Sequence, residues 1–437
     1  MLAAAGCRGS VGDVDGPRRP DATTDAVTDA RCDGPLNDAA TMGDAAGGDA
    51  SVPSSGPVLY ALGRRHSPIT ASVASRLATI PRSNSALNVF AKVGDSITAM
   101  PSFATCFDHD YTLGAHANLE STRAYFGAGS AAGSTPYGRT SSAATGGWQT
   151  SDVLAGAPCP LQQEETALSP AVAFVLLGTN DNRYGRSPLA FGQDLWTIID
   201  DTIADGTIPI MSTIPPVNGD PGTDGRVALF NLIVRAIAQG RQVPLVDLHD
   251  ELVPLTNRGI SSDGLHPSVG PTSTCDLTSA GLQYGFNVRN LISLEALDRE
   301  RAALAGSPSD ASAPVRTGAG SHTSPYSATL PLVDLADTRT GDAGFTSYAC
   351  DATTWSGRET VYKLNLSSRQ TLDAYVITRG AVSVGVHVLA GSLSSSACVA
   401  SSTTSTTATV GPGAVYVVVD TPSTTSEGEY VLVVAAE

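Results

Sequence analysis

The chain has 437 residues, more than one ordinary domain of roughly 100–200 residues holds. Its formal net charge of -16 repels phosphate backbones and argues against nucleic acid as a partner. Apolar residues make up 41%, enough for a core, and no apolar run approaches the ~20 residues of a membrane helix.

The first 57 residues are rich in Asp, Ala, Gly, Pro and Thr, with almost no large apolar side chains. Such a segment buries too little to offset its ordering entropy and reads as a disordered acidic export or spacer segment. Met1 to Cys7, Met-Leu-Ala-Ala-Ala-Gly-Cys, resembles the end of a bacterial lipoprotein signal, which implies a lipid anchor at Cys7 and a cell-surface or extracellular location. The basic start and apolar stretch of such a signal are missing here, so a cysteine in an unstructured tail is the plain alternative.

Residues 58–304 alternate strand and helix signals. Asn88–Gly94, the continuous apolar run Ala171–Leu177, Ile208–Ile214 and Val243–Leu248 read as strands. Leu189–Ala204, Arg226–Gln239 and Thr278–Leu304 read as helices. This alternation predicts an α/β domain with a parallel sheet and helices on both faces. Residues 305–327, rich in Ser, Pro and Ala, read as a linker. From 328 to 437 the pattern becomes short strands broken by turns, among them Glu359–Leu366, Thr371–Ile377, Val382–Leu389, Ala414–Asp420 and Glu429–Val434, which predicts a small all-β sandwich. A cut near Pro308 is expected to release it as a self-contained module.

Seven cysteines, Cys7, Cys32, Cys106, Cys159, Cys275, Cys350 and Cys398, form no C-x-x-C pair, which disfavours a zinc site. They fit an exported, disulfide-bearing protein with at least one cysteine unpaired or modified. Cys350 and Cys398 are the two cysteines of the sandwich and are expected to pair. The pairing of Cys32, Cys106, Cys159 and Cys275 stays open. No metal or cofactor is expected.

Three motifs carry chemistry. Val93-Gly94-Asp95-Ser96-Ile97-Thr98 places a serine where a strand gives way to a helix, at the sheet edge where open α/β sheets bind ligands. Leu177-Gly178-Thr179-Asn180-Asp181 places an amide at the same edge, able to donate to an oxyanion. Ser262-Asp263-Gly264-Leu265-His266-Pro267 sets a carboxylate three residues before an imidazole, so that the one orients the other. Alone, each has a bland reading: a helix cap, a turn, a surface loop. His249, two residues after Asp247, is a rival base, and His109 lies between two aspartates.

Together and in this order, the three blocks resemble those of SGNH (GDSL-like) hydrolases over roughly residues 85–270. The resemblance implies a three-layer α/β/α flavodoxin-like sheet and a serine esterase with Ser96, Asp263 and His266 as its triad. It also implies an oxyanion hole from the Ser96 amide, the Asn180 side chain and a glycine amide. Gly147 matches that glycine better than Gly146 does, although the Asn that often precedes it is absent. Trp148, next in the chain, is a candidate sugar-stacking residue or an ordinary core Trp. The C-terminal stretches Tyr362–Leu366, Val384–Leu389, Tyr416–Asp420 and Gly428–Leu432 resemble the bacterial pre-peptidase C-terminal module, which implies an accessory role. The expected activity is hydrolysis of an ester by a monomer, above all of an acetylated polysaccharide. A lipase or other acyl-ester hydrolase, and a surface-binding protein without catalysis, are the alternatives.

Overall fold

The computed structural model describes residues 56–82 and 85–436. Cys7, Cys32 and the acidic segment before residue 56 lie outside the described residues.

Four strands form a parallel sheet in the spatial order of the chain: β1 (Ala86–Gly94), β2 (Pro170–Leu176), β3 (Ile208–Ser212) and β4 (Leu245–Val246). Every residue of β2 is buried, as a strand covered on both faces requires. Alternate side chains feed two cores. Val89, Ala91, Val93, Ala173 and Val175 face one side, under α5 (Pro188–Ala204) and α6 (Pro221–Arg241). Phe90, Val172, Phe174 and Leu176 face the other, under α7 (Gly285–Leu304). Shorter helices flank the sheet edge, among them α1 (Ser96–Ala99), α2 (Thr150–Val153), α3 (Pro160–Leu168) and α4 (Thr179–Arg183). The expected strand at Val243–Leu248 is only two residues long. Pro244 has no amide to donate, and Asp247 leaves the sheet to cap the short helix Leu248–Leu252.

The free edge of β1 is filled without a strand. Gly94 donates to the Ala143 carbonyl at 3.0 Å and accepts from the Thr145 amide at 3.2 Å, so Ala144 bridges β1 in parallel. Chain order therefore reverses at β1: the next parallel neighbour along the sequence lies on one side of it and β2 on the other. That reversal opens a crevice at the C-terminal end of β1.

The C-terminal region is two antiparallel sheets. One has the order β10–β7–β12–β5 and the other β9–β8–β11–β6, extended by Tyr326–Ser327 in parallel on β6, with β5 (Leu332–Asp337), β6 (Thr360–Leu366), β7 (Gln370–Thr378), β8 (Gly385–Ala390), β9 (Cys398–Ser402), β10 (Ser405–Val410), β11 (Gly413–Asp420) and β12 (Glu429–Ala436). Disulfides join Cys106 to Cys275 and Cys350 to Cys398, and Cys159 is also disulfide-bonded. No helix among the described residues is long and apolar enough to cross a membrane.

The C-terminal sandwich is packed against the α/β domain and is not held by the connection alone. Val333, Leu335, Ile377, Val431 and Val433 point out of the sandwich into the same core as Phe191, Leu195, Phe230 and Ile233 of α5 and α6. Arg241 pairs with Asp200 at 2.6 Å and with Glu429 at 2.7 Å, and Arg379 lies over the Trp196 ring at 4.0 Å. The connection 305–327 is also tied down. Asp310 accepts from the Ile69 amide and from Arg299, each at 2.8 Å; the Leu59 amide donates to the Pro314 carbonyl, and Tyr326–Ser327 pair with β6.

Two glycines of α6 test this contact. A Cβ on Gly240 would meet Leu335 Cβ at 2.2 Å, whereas one on Gly225 would meet nothing within 4 Å. Alanine normally favours a helix interior by about 1 kcal/mol over glycine. Gly225→Ala should therefore raise the urea midpoint. Gly240→Ala should lower it, by about 1–3 kcal/mol in stability, because Leu335 is overpacked.

Candidate active site

Gly94 ends β1 where a side chain has no room. A Cβ would lie 2.4 Å from Thr98 Oγ1 and 2.7 Å from the Leu176 carbonyl. The chain then turns at once into α1. Asp95 caps it, its Oδ1 accepting the Ile97 amide at 2.9 Å. Arg289 of α7, itself buried, donates to the Ile97 carbonyl and to Thr98 Oγ1, and so fixes the far side of the same turn. Ser96, the first residue of α1, is held at the mouth of the crevice.

The loop from Ile260 to Pro267 comes to meet it. Ser96 Oγ lies 2.8 Å from His266 Nε2, and His266 Nδ1 lies 2.7 Å from Asp263 Oδ2. The other oxygen of Asp263 accepts the amides of Leu265 at 2.9 Å and His266 at 3.0 Å and the Ser261 hydroxyl at 2.8 Å. Partial burial disfavours its charge, but these amides, the imidazole and the hydroxyl outweigh it and draw the carboxyl down to about 2. An ionised Asp263 accepts from Nδ1–H, which leaves Nε2 as the acceptor for the Ser96 hydroxyl. Gly264, at φ 79°, sits where a Cβ would strike the Asn218 carbonyl at 2.4 Å, so the loop closes against Asn218.

On the opposite side, Trp148 N–H donates to the Thr145 carbonyl at 3.4 Å and closes a turn with Gly147 at φ 83° as its third residue. A Cβ on Gly146 would come 3.7 Å from Ser96 Cβ, so this turn lies against the serine. Gly147 faces open space. Asn180 in α4 is buried and donates from Nδ2 to the Trp148 carbonyl at 3.0 Å, leaving its second amide proton unassigned. Asp181 accepts the Thr150 hydroxyl at 2.7 Å and the Thr150 amide at 3.1 Å, which locks α2 to α4. Burial pushes Asp181 up to about 6 against the pull of Thr150 and Arg186, and burial does the same to Asp95.

Ser96, Asp263, His266, Gly147 and Asn180 are thus brought to one crevice. The Trp148 ring is half-buried against the core, and its carbonyl is what meets Asn180. The rival bases are not placed there. His249 sits on Leu248–Leu252 with Nδ1 3.2 Å from Asp250, while Asp247 is taken by Arg235 and Thr213. His109 ends a 3-10 turn, and the imidazole on Ser96 is that of His266. Asp181 and Arg289 were not singled out from the sequence. Asp181 stands in the Asn180 motif itself. Arg289 lies so far along the chain that no local pattern marks it.

Among the described residues one group of three metal-ligand side chains lies together, Cys350, His387 and Cys398. Its two sulfurs are joined to each other, and a disulfide sulfur is not a thiolate ligand.

Residues 93–269 match the GDSL-like Lipase/Acylhydrolase family. The matching segment holds Ser96, Gly147, Asn180, Asp263 and His266 and ends before the sandwich. Similar solved structures include a putative acylhydrolase from Bacteroides fragilis NCTC 9343, at 18% identity over 52% of this chain and 93% of that one, with a TM-score of 0.33. A GDSL-like lipase from Bacteroides thetaiotaomicron VPI-5482 is 15% identical over 52% and 96%, with a TM-score of 0.33. A catalytic mutant of an acetylxylan esterase from Geobacillus stearothermophilus is 14% identical over 50% and 96%, also at 0.33. No curated protein matches the chain.

Burial of Asp181 makes stability depend on pH. Asp181 holds its proton up to about 6 when folded, against 3.8 for the ordinary group. Between those values the folded chain binds more protons than the unfolded one, so stability falls as pH rises through the window. Asp181→Asn abolishes this titration. The fall in unfolding free energy between pH 4 and pH 7, read from urea midpoints, should shrink by on the order of 1–3 kcal/mol. An unchanged fall would show that folding does not raise the Asp181 carboxyl.

Proposed function

We propose that the chain is a serine-dependent ester hydrolase acting on acetylated carbohydrate. The observation that carries this reading is the unbroken line Ser96 Oγ to His266 Nε2 to Asp263 Oδ2, at 2.8 Å and 2.7 Å, set in the crevice beside Asn180.

In this mechanism His266 Nε2 takes the Ser96 proton as Oγ attacks the ester carbonyl. Asp263 stays ionised and stabilises the imidazolium. The oxyanion is met by the Ser96 and Gly147 amides and by the Asn180 side chain, whose other proton is spent on Trp148. His266 then gives its proton to the leaving alcohol, and the acyl group remains on Ser96. A water, deprotonated by His266, attacks the acyl-enzyme and releases the acid. Gly264 and Gly94 contribute by letting the two loops approach within hydrogen-bonding reach.

Two features favour a sugar ester over a long acyl chain. The space beside Asp263 is lined by polar side chains, which a hydrocarbon would desolvate without return. The disulfides Cys106–Cys275 and Cys350–Cys398 fit an extracellular or cell-surface setting, where acylated polysaccharides occur.

Ser96→Ala should bring p-nitrophenyl acetate turnover down by roughly 10⁴-fold or more without shifting the thermal midpoint, and an organophosphate should label the parent at Ser96. A variant that keeps most of its rate overturns the assignment. Asn180→Ala should lower kcat by about 10²–10³ with KM nearly constant, because its bond forms mainly in the transition state. A change confined to KM would make Asn180 a substrate-positioning group.

A further inference from the structure

A groove of about 560 Å³ opens beside Asp263, within the roughly 300–1,000 Å³ of small-molecule sites. Its walls come from three separate segments. Arg183 stands at the end of α4, Asn218 and Asp220 follow β3, and Asn257, Ser262 and Asp263 belong to the stretch that carries the catalytic loop. It adjoins the triad on one side through Asp263 and the oxyanion region on the other through α4, where Arg183 lies three residues after Asn180.

The walls are cross-tied. Asn218 donates from its amide to the Gly264 carbonyl and from Nδ2 to the Asn257 carbonyl, both at 2.8 Å. Arg258 holds Asp224 at 2.8 Å and 3.0 Å, and Asn182 Nδ2 donates to the Thr223 carbonyl at 2.9 Å. Asn257 and Arg258 both lie in the left-handed region, at φ 51° and 56°, a conformation that costs non-glycine residues of order 1–3 kcal/mol where the surroundings impose it.

The lining is polar and partly uncommitted. Among the described residues, the Arg183 guanidinium, the Asn257 side-chain amide and the Ser262 hydroxyl make no hydrogen bond or ion pair with the protein. Next to Arg183, its ring 5.8 Å from that guanidinium, is Tyr184 at 57% exposure, the one strongly exposed Phe, Tyr or Trp ring among the described residues; it adjoins the groove through Arg183 and is not itself one of the walls. An acetyl group needs only a small pocket, so a groove of this size suits the alcohol side of the ester. An exposed aromatic ring next to several free donors and acceptors matches a sugar chain, which offers C–H faces and hydroxyls together.

We propose that this groove is a subsite for the saccharide chain of the substrate, with Tyr184 as its stacking platform and Arg183, Asn257 and Ser262 as partners for its hydroxyls. The proposal rests on the ester-hydrolase reading and goes beyond it by placing the sugar units that flank the acetylated one. Each occupied sugar ring then adds binding energy remote from the reacting carbonyl, and kcat/KM rises with chain length.

The test uses the full chain with chemically acetylated xylo-, cello-, manno- and chito-oligosaccharides of one to five units, and with p-nitrophenyl acetate as the reference ester. In at least one series kcat/KM should climb about tenfold between one and four units. Tyr184→Ala should lower the tetrasaccharide to reference-ester ratio of kcat/KM about three- to tenfold, and Tyr184→Phe should restore it, since only the ring face is used. Arg183→Ala should lower the same ratio. A flat length profile in every series, a length gain that survives Tyr184→Ala together with Arg183→Ala, or a preference for octanoyl over acetyl p-nitrophenyl esters overturns the subsite. If the parent fails to hydrolyse p-nitrophenyl acetate, the ester-hydrolase reading fails as well. An active parent with a flat profile removes the subsite alone.

Discussion

The site depends on the close approach of backbone at the end of β1. Gly94 lies under Thr98 and against the Leu176 carbonyl, with no space for a side chain. That contact lets β1 pass into α1 with no intervening loop, so Ser96 inherits the rigidity of two elements. On one side of Gly94 is Ala144, which positions the glycine turn, and on the other is β2, which leads into Asn180. Both flanks of the serine are therefore indexed to the same residue, and their mutual ties, Asn180 to Trp148 and Asp181 to Thr150, complete a frame into which the His266 loop docks.

Three aspartates within this frame sit in three different electrostatic settings. Asp263 is half in solvent and accepts four hydrogen bonds, so it stays charged and can support a positive imidazole. Asp95 and Asp181 are wholly buried, and burial holds each above the ordinary carboxylate range, at about 6. Their task is to hold backbone, at the α1 cap and at α2, which either form can do in part. The division follows from burial and hydrogen-bond count, not from residue type.

Much of the layout could be read from the amino-acid order because the candidate side chains sit just past strand ends or in one short loop. Ser96 follows an apolar strand and a glycine, Asn180 follows another, and Asp263 and His266 share six residues. The rest depended on contacts between distant segments. The fifth position of the sheet is held by a single bridge at Ala144, in a Ser/Ala/Gly stretch with no strand pattern. β9 and β10 are Ser- and Thr-rich with little apolar pattern, and pairing with β8 and β7 makes them strands. Arg289 reaches Thr98 across the whole domain. The docking of the sandwich did leave a trace. The run Tyr430-Val-Leu-Val-Val434 lacks the alternation of a half-exposed strand, because both of its faces are covered.

That covered strand bears on how such a chain can change over generations. One face of β12 belongs to the interior of the sandwich and the other to the interior of the α/β domain. The glycines at 192 and 240 are cut to fit Ile377 and Leu335. An accessory domain on a loose tether can be traded between proteins like a cassette. Here an exchange would have to carry its own matching helix surface, so the two halves are bound to be inherited, and to drift, as a single piece.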